Sequence, residues 1–389
     1  MHYSNSRRRS ASQVISIHQL GVLSIISGPP LFLVRIQMPR KITVEDVEAL
    51  TIGGTILGGG GGGWPSEGRA AGMLAMELGG VELWSPEETP PEWNVITVAA
   101  LGAPTQKGET KARHFIRAVQ MLWEASVEFD GVIAAENGGQ NSFGGWIPAA
   151  ALGLPVVDTP GDGRAHPTAM MGSMGIHRLD YKSVKAGVTE GAEMISWGTL
   201  QRTSNQIRFM AGDCKALIAM ARDPIPVEWC IEHGAPGAIQ QAIDLGKAYL
   251  KAKKGESAVK AAAKFLGGEL IETGKIIEMT TEAKGGFDVG VMTIKGEETW
   301  ELSYVNEYMA LENGGKRLAT FPDLMTTFDG EGNPVTSAAL KKGDEIYLVN
   351  VPKEKIKVGD GNRYAEIYEP VEKALGKPMV KHLKGYLKP

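Results

Sequence analysis

Apolar and polar positions change rhythm several times along the chain, and each change marks an element. Thr43 followed three residues later by Asp46 has capping-box spacing, and it predicts a short helix leading into "TIGGTIL". Pro65 at a first turn and Gly79-Gly80 at a stop frame a second helix over "PSEGRAAGMLAMELGG". "NVITVAALG" at 94–102 is a continuous β-branched run, as in a strand covered on both faces. Helical spacing returns in "GETKARHFIRAVQMLWEASVEF" at 108–129. "GVIAAENGG" at 131–139 and "LPVVDTPGDGRAHP" at 154–167 each read as a strand running into a polar loop. Part of "SFGGWIPAAALG" between them is helical.

This alternation predicts an α/β N-terminal domain over 38–190 with a mainly parallel sheet. After about residue 185 the texture shifts. "TSNQIRFMAGDCKALIAMARD", "APGAIQQAIDLGKAYLKAKKG" and "SAVKAAAKFLGG" are helical by periodicity. From 267 to 351 the pattern turns to β segments punctuated by turn dipeptides such as Asn313-Gly314. Residues 191–389 are therefore expected to form a helical segment and a β-rich C-terminal domain. Residues 1–37 read as an extension without a fold of its own, or a start set upstream of Met38. Their apolar stretch is broken by His18, Gln19 and Pro29-Pro30, too early for a membrane span.

Composition adds little until charge is placed. With 43% hydrophobic and 22% charged residues the chain is ordinary for a globular protein, but its 50 glycines are not. Four of the 41 basic residues (Arg7, Arg8, Arg9, Arg35) fall in 1–37, leaving 37 against 45 acidic residues in the rest. No basic stripe interleaves with aromatics, which argues against nucleic acid as a partner. Cys214 and Cys230 have no metal-type spacing and fit a reducing, cytoplasmic setting. Self-association stays open.

The candidate chemistry sits in loops after predicted strands, where open parallel sheets bind ligands. Six consecutive glycines, Gly58 to Gly63, precede the second helix. No Gly-Lys-Ser/Thr follows and no acid ends the next strand, so neither a P-loop nor a dinucleotide fingerprint is met. Bare backbone at Gly59, Gly60, Gly61 and Gly62 could still approach a carboxylate, enolate or phosphate, or make a tight packing turn. "AAENGGQNSFG" supplies Glu136 as a base or metal ligand and Asn141 as an orienting amide, unless Asn141 caps a turn. "VVDTPGDGRAHP" packs Asp158, Asp162, Arg164 and His166 into nine residues. They could form an acid/base pair with Arg164 clamping an anion, or hold a divalent metal, or cap turns as a structural bridge. Lys107 and Glu109 lie on the same loop edge, and Asn306 and Glu307 could face the cleft from the second domain.

Taken in order, "ILGGGGGGWP", "LGAPTQKGE", "AAENGGQNS", "LPVVDTPGDGRAHP", "GAPGAIQQAIDLG", "VNEYMAL" and "LATFPDLMTTFDGEGNPVTSAALKKGDEIYLV" resemble the S-methyl thiohydantoin desulfurase family, which is associated with hydantoinase/oxoprolinase systems. The resemblance spans nearly all of 43–358. It implies an α/β N-terminal and a β-rich C-terminal domain. It also implies a hydrolytic activity that removes a methylthio group as methanethiol from an S-methylated thiohydantoin. Glu136, Asn141, Asp158, Gly161, Gly163 and Arg164 fall on the family's motif positions. Trp64, Pro160 and Thr168 stand where that pattern carries acids, while Asp162 and His166 replace apolar residues.

The reading is thus a hydrolase acting on a small cyclic amide or thiohydantoin-type ring. Glu136, Asp158, Asp162 and His166 are its catalytic candidates, and the same four are the candidates for a metal such as zinc. Gly59 to Gly62, Asn141, Arg164, Asn306 and Glu307 are its substrate-binding candidates. The alternatives are a non-catalytic small-molecule-binding or partner subunit and, further off, a nucleotide- or phosphate-dependent enzyme.

Overall fold

The computed structural model describes residues 39–102, 110–284 and 287–389. The expectations for 1–37, Lys107 and Glu109 lie outside the described residues. Among those described, two sheets of eight strands share residues 39–389.

The first sheet contains β1 (Arg40–Lys41), β2 (Glu82–Trp84), β3 (Asn94–Leu101), β4 (Gly131–Ala134), β5 (Val156–Val157), β6 (Ser183–Thr189), β7 (Ala192–Gly198) and β8 (Ile218–Pro226). Their spatial order is β1-β2-β5-β4-β3-β8-β6-β7. The centre, β2-β5-β4-β3, is parallel, and β8, β6 and β7 extend it antiparallel. The β6–β7 hairpin spans residue 190, so this sheet runs on to Pro226.

Helix α1 (Val44–Leu57) starts on the expected capping box between Thr43 and Asp46. Its companions are α2 (Pro65–Glu77), α3 (Ala112–Glu124), α4 (Trp146–Leu152), α5 (Leu200–Cys214), α6 (Val227–His233), α7 (Ala238–Lys251) and α8 (Glu256–Leu266). One expected helix is corrected. The stretch 203–223 is helical only to Cys214, where Lys215 turns into left-handed backbone at φ 49°. The apolar run "IAMARD" then enters β8, wedged between β3 and β6. A strand covered on both faces has no alternation to separate it from a helix.

The second sheet is antiparallel throughout. It comprises β9 (Glu269–Lys284), β10 (Phe287–Lys295), β11 (Thr299–Val305), β12 (Glu307–Asn313), β13 (Lys316–Thr320), β14 (Leu324–Asp329), β15 (Pro334–Val335) and β16 (Glu345–Val351), with α9 (Glu369–Leu375) beyond it. The fold is therefore the expected pairing of an α/β sheet with a β-rich half. One apolar core joins the halves: Leu50, Ile56, Ile243 and Val259 of the helices cluster with Leu324, Phe328 and Val349 of the second sheet. Among the described residues no helix is long and apolar enough to cross a membrane.

Candidate functional site

The six-glycine loop leaves α1 and passes between the two sheets. The Gly59 carbonyl accepts from the Tyr308 N–H at 2.7 Å, and the Gly60 carbonyl from the Ser337 N–H at 2.8 Å. The Gly62 carbonyl accepts from the N–H groups of Gln140 and Asn141 at 2.9 and 3.1 Å. A loop stitched to both sides this closely has no room for side chains. A Cβ on Gly61 would stand 2.0 Å from Glu307 Oε1, and one on Gly62 would stand 2.4 Å from the Gly138 Cα while holding φ at 77°. The space beside Gly59 and Gly60 is filled by Arg164 and the Tyr308 ring. Much of the glycine run thus answers to the protein's own packing, and Gly61, Gly62 and Gly63 reach the cavity described next.

That cavity, of about 100 Å³, lies at the carboxyl ends of β3 and β4, as the sheet rule anticipates. Its apolar wall is Ala99 to Leu101, Leu217 and Met220; its polar wall brings Glu136, Asn141, His166, Arg222, Asn306 and Glu307 together. Gln140, Trp64, Thr168 and Arg208 complete it. Glu136 extends just past β4 and is buried. Its Oε1 accepts from Asn141 Nδ2 at 2.7 Å and its Oε2 from the His166 N–H at 3.0 Å. His166 Nε2 stands 3.2 Å from the same Oε2 without hydrogen-bond alignment. Both imidazole nitrogens are buried and without a partner, as are Glu307 Oε2 and Arg222 Nε. Buried polar atoms are ordinarily paired within the protein, so such a concentration around one cavity marks a wall of polar atoms turned toward it.

Burial sets the protonation states. His166 is pushed down to about 3, first by burial and then by the charges of Arg222 and Arg164, so its imidazole is neutral. Glu136 and Glu307 are both raised, again first by burial, and Glu136 next by the charge of Glu307. Asn306 holds left-handed backbone at φ 56°, and its Oδ1 accepts from the Asp288 N–H at 2.9 Å.

Three sequence candidates go elsewhere. Asp158 points at the start of α7, where Oδ1 and Oδ2 accept from the Ile239 and Gln240 N–H groups at 2.8 and 2.9 Å. Burial pushes it up to about 6. Asp162 is fully buried and accepts from the Gly359 N–H at 3.2 Å and from Asn362 Nδ2, tying the first sheet to the chain beyond β16. Arg164 lies under the glycine loop, its guanidinium 4.4 Å from the Phe321 ring centre and its Nη1 donating to the Asp323 carbonyl. None of the three lines the cavity. The four metal candidates therefore do not converge: both carboxyls of Asp158 and Asp162 are consumed by N–H donors. Among the described residues no three His, Cys, Asp or Glu side chains are placed to hold a metal ion. A zinc site built on these four does not fit.

Sequence reasoning missed Arg208 and Arg222. Arg222 left a signal, since a lone arginine inside the apolar run of β8 is expensive to bury without a purpose. Arg208, on an ordinary amphipathic helix, left none.

No functionally curated protein matches the chain. An X-ray crystal structure of a protein from Chromobacterium violaceum is similar over 90% of this chain and 98% of that one, with 21% identity and a TM-score of 0.64. At that identity the likeness speaks to the fold alone. Family models described as the S-Me-THD-like N-terminal domain and the S-Me-THD-like C-terminal domain match residues 45–196 and 200–358. The chain belongs to the S-Me-THD-like family.

Proposed function

We propose that the cavity is the active site of a hydrolase acting on a small cyclic amide or S-methyl thiohydantoin-type ring, releasing methanethiol and leaving a hydantoin. The observation that carries this reading is the convergence of two raised carboxyls with unpartnered His166 and Arg222 nitrogens against one apolar wall. Ligand sites commonly combine an apolar wall with a few placed polar groups. A flat ring fits against the glycine backbone, with Asn141 orienting both the ring and Glu136. Arg208 and Arg222 take the anion-holding role expected of Arg164, facing an acidic substituent on the ring. Arg164, Asp158 and Asp162 hold the frame. No step runs through a metal.

Trp64 and Thr168 line the cavity at positions where the family pattern carries acids. That favours a second reading, a binding subunit that keeps the pocket without turnover. Thiol release from a panel of S-methylated thiohydantoins, with and without added divalent metal, separates the two. The hydrolase reading expects release that falls about 10²–10⁴-fold in Glu136→Gln. The binding reading expects ligand-induced thermal stabilisation with no thiol. Full turnover by Glu136→Gln would remove Glu136 from the scheme.

A further inference from the structure

Resting on the hydrolytic reading above, we propose that Glu307 is the general base of the site, with Oε2 taking a proton from the attacking water and handing it on to the departing sulfur. Glu307 opens β12, so the second sheet delivers it to a cavity whose other carboxyl comes from the first sheet. Its carboxylate is bedded in the space Gly61 leaves open, with the Gly62 backbone amide helping to hold its charge. Oε2 is left buried without a partner. Glu136 differs: Asn141 and the His166 N–H occupy both of its oxygens. Of the two carboxyls, only Glu307 has a buried oxygen without a hydrogen-bond partner.

Charge points the same way. Arg164 and Arg208 face Glu307 and favour its ionised form. Glu136 is faced by Glu307 and Asp162, which disfavour its charge, by Arg222 and, after its nearer acids, Arg164, which favour it, and by neutral His166. Two buried carboxyls that face each other disfavour each other's charge, so the pair retains a proton more readily than either carboxyl alone. The arrangement places it on Glu136, whose Oε2 lies 3.2 Å from the Nε2 of neutral His166.

The proton count closes. Water oxygen bonds to the ring carbon as Glu307 Oε2 takes one water proton. The C=N electron pair moves to nitrogen, which takes the proton of Glu136. The C–S bond then breaks, and its electron pair leaves on sulfur, which takes the proton from Glu307. The new hydroxyl returns its proton to Glu136 as the carbonyl forms. Both carboxyls end as they began, and one water has become methanethiol and a ring carbonyl.

The test compares the full-length protein with Glu307→Gln and Glu136→Gln, each checked for a cooperative melt. Glu307→Gln is expected to lose about 10²–10⁴-fold in turnover. Azide, a nucleophile that needs no deprotonation, should restore thiol release at least tenfold in Glu307→Gln and leave Glu136→Gln unrescued. A Glu307→Gln rate within threefold of wild type, or equal rescue of both variants, overturns the assignment. Infrared spectra of glutamate-¹³C-labelled protein without substrate give a readout independent of turnover. At neutral pH the protonated-carboxyl band should vanish in Glu136→Gln and persist in Glu307→Gln; the reverse pattern overturns the proposal. If the wild type releases no thiol, the reaction reading fails, and the infrared result still decides where the proton resides.

Discussion

Single atoms decide what this site can do, and Gly61 is the sharpest case. A methyl group there would occupy the place of Glu307 Oε1, 2.0 Å away. Gly61→Ala should therefore displace the Glu307 carboxyl and lower turnover at least tenfold, while the melting temperature falls by only a few degrees. Kinetics and a thermal melt on the same preparation check this, and unchanged turnover would show that Glu307 is not held as described. The glycine run was legible in the sequence as a demand for close approach, because side-chain-free backbone is costly without one. What approaches was not legible: at Gly59, Gly60 and Gly62 it is the protein's own Arg164, Tyr308 and Gly138. Glu136 and Asn141 were readable from a strand running into an amide-rich loop. The destinations of Asp158 and Asp162 were not, since the N–H groups that occupy them lie about 80 and 200 residues away.

At the scale of elements, Asp158 acts as a remote cap on α7, joining the loop after β5 to the first turn of that helix. Asp158→Ala should destabilise the protein by about 0.5–2 kcal/mol, as loss of a helix cap does, readable by chemical denaturation. Its pH behaviour follows from burial. Asp158 is raised to about 6 and Asp162 to about 7, against about 4 for an unfolded aspartate. Between those values the folded state binds more protons than the unfolded one. Their contribution is therefore full below about pH 4 and lost as pH rises through 6 and 7. The melting temperature should fall from pH 5 to pH 7.5, and less steeply in Asp158→Asn. An equal slope in the variant would contradict the assignment. The elements themselves were largely readable where caps and breakers marked them, as at Thr43, Pro65 and the α/β alternation. β8 was misread because an apolar run buried on both faces carries no period, and Lys215, whose left-handed turn ends α5, is not a residue that announces a stop.

At the scale of the molecule, the site exists only where the two sheets meet. Glu136, Asn141, His166 and Arg222 come from the first, Asn306 and Glu307 from the second, and the glycine loop is hydrogen-bonded to both. A bulky insertion at the exposed Gly314-Gly315 turn should leave turnover intact, whereas disruption of the start of β12 at Glu307 should abolish it. The central claim is that water attacks a ring carbon in this cavity and expels a thiol. The most direct measurement is turnover of an S-methyl thiohydantoin in ¹⁸O-labelled water, with the thiol counted and the ring product weighed. The account predicts one labelled oxygen in the ring for each thiol released, both lost together in Glu136→Gln. Thiol release without label in the ring, or no release from a folded protein that binds the ring, would contradict it.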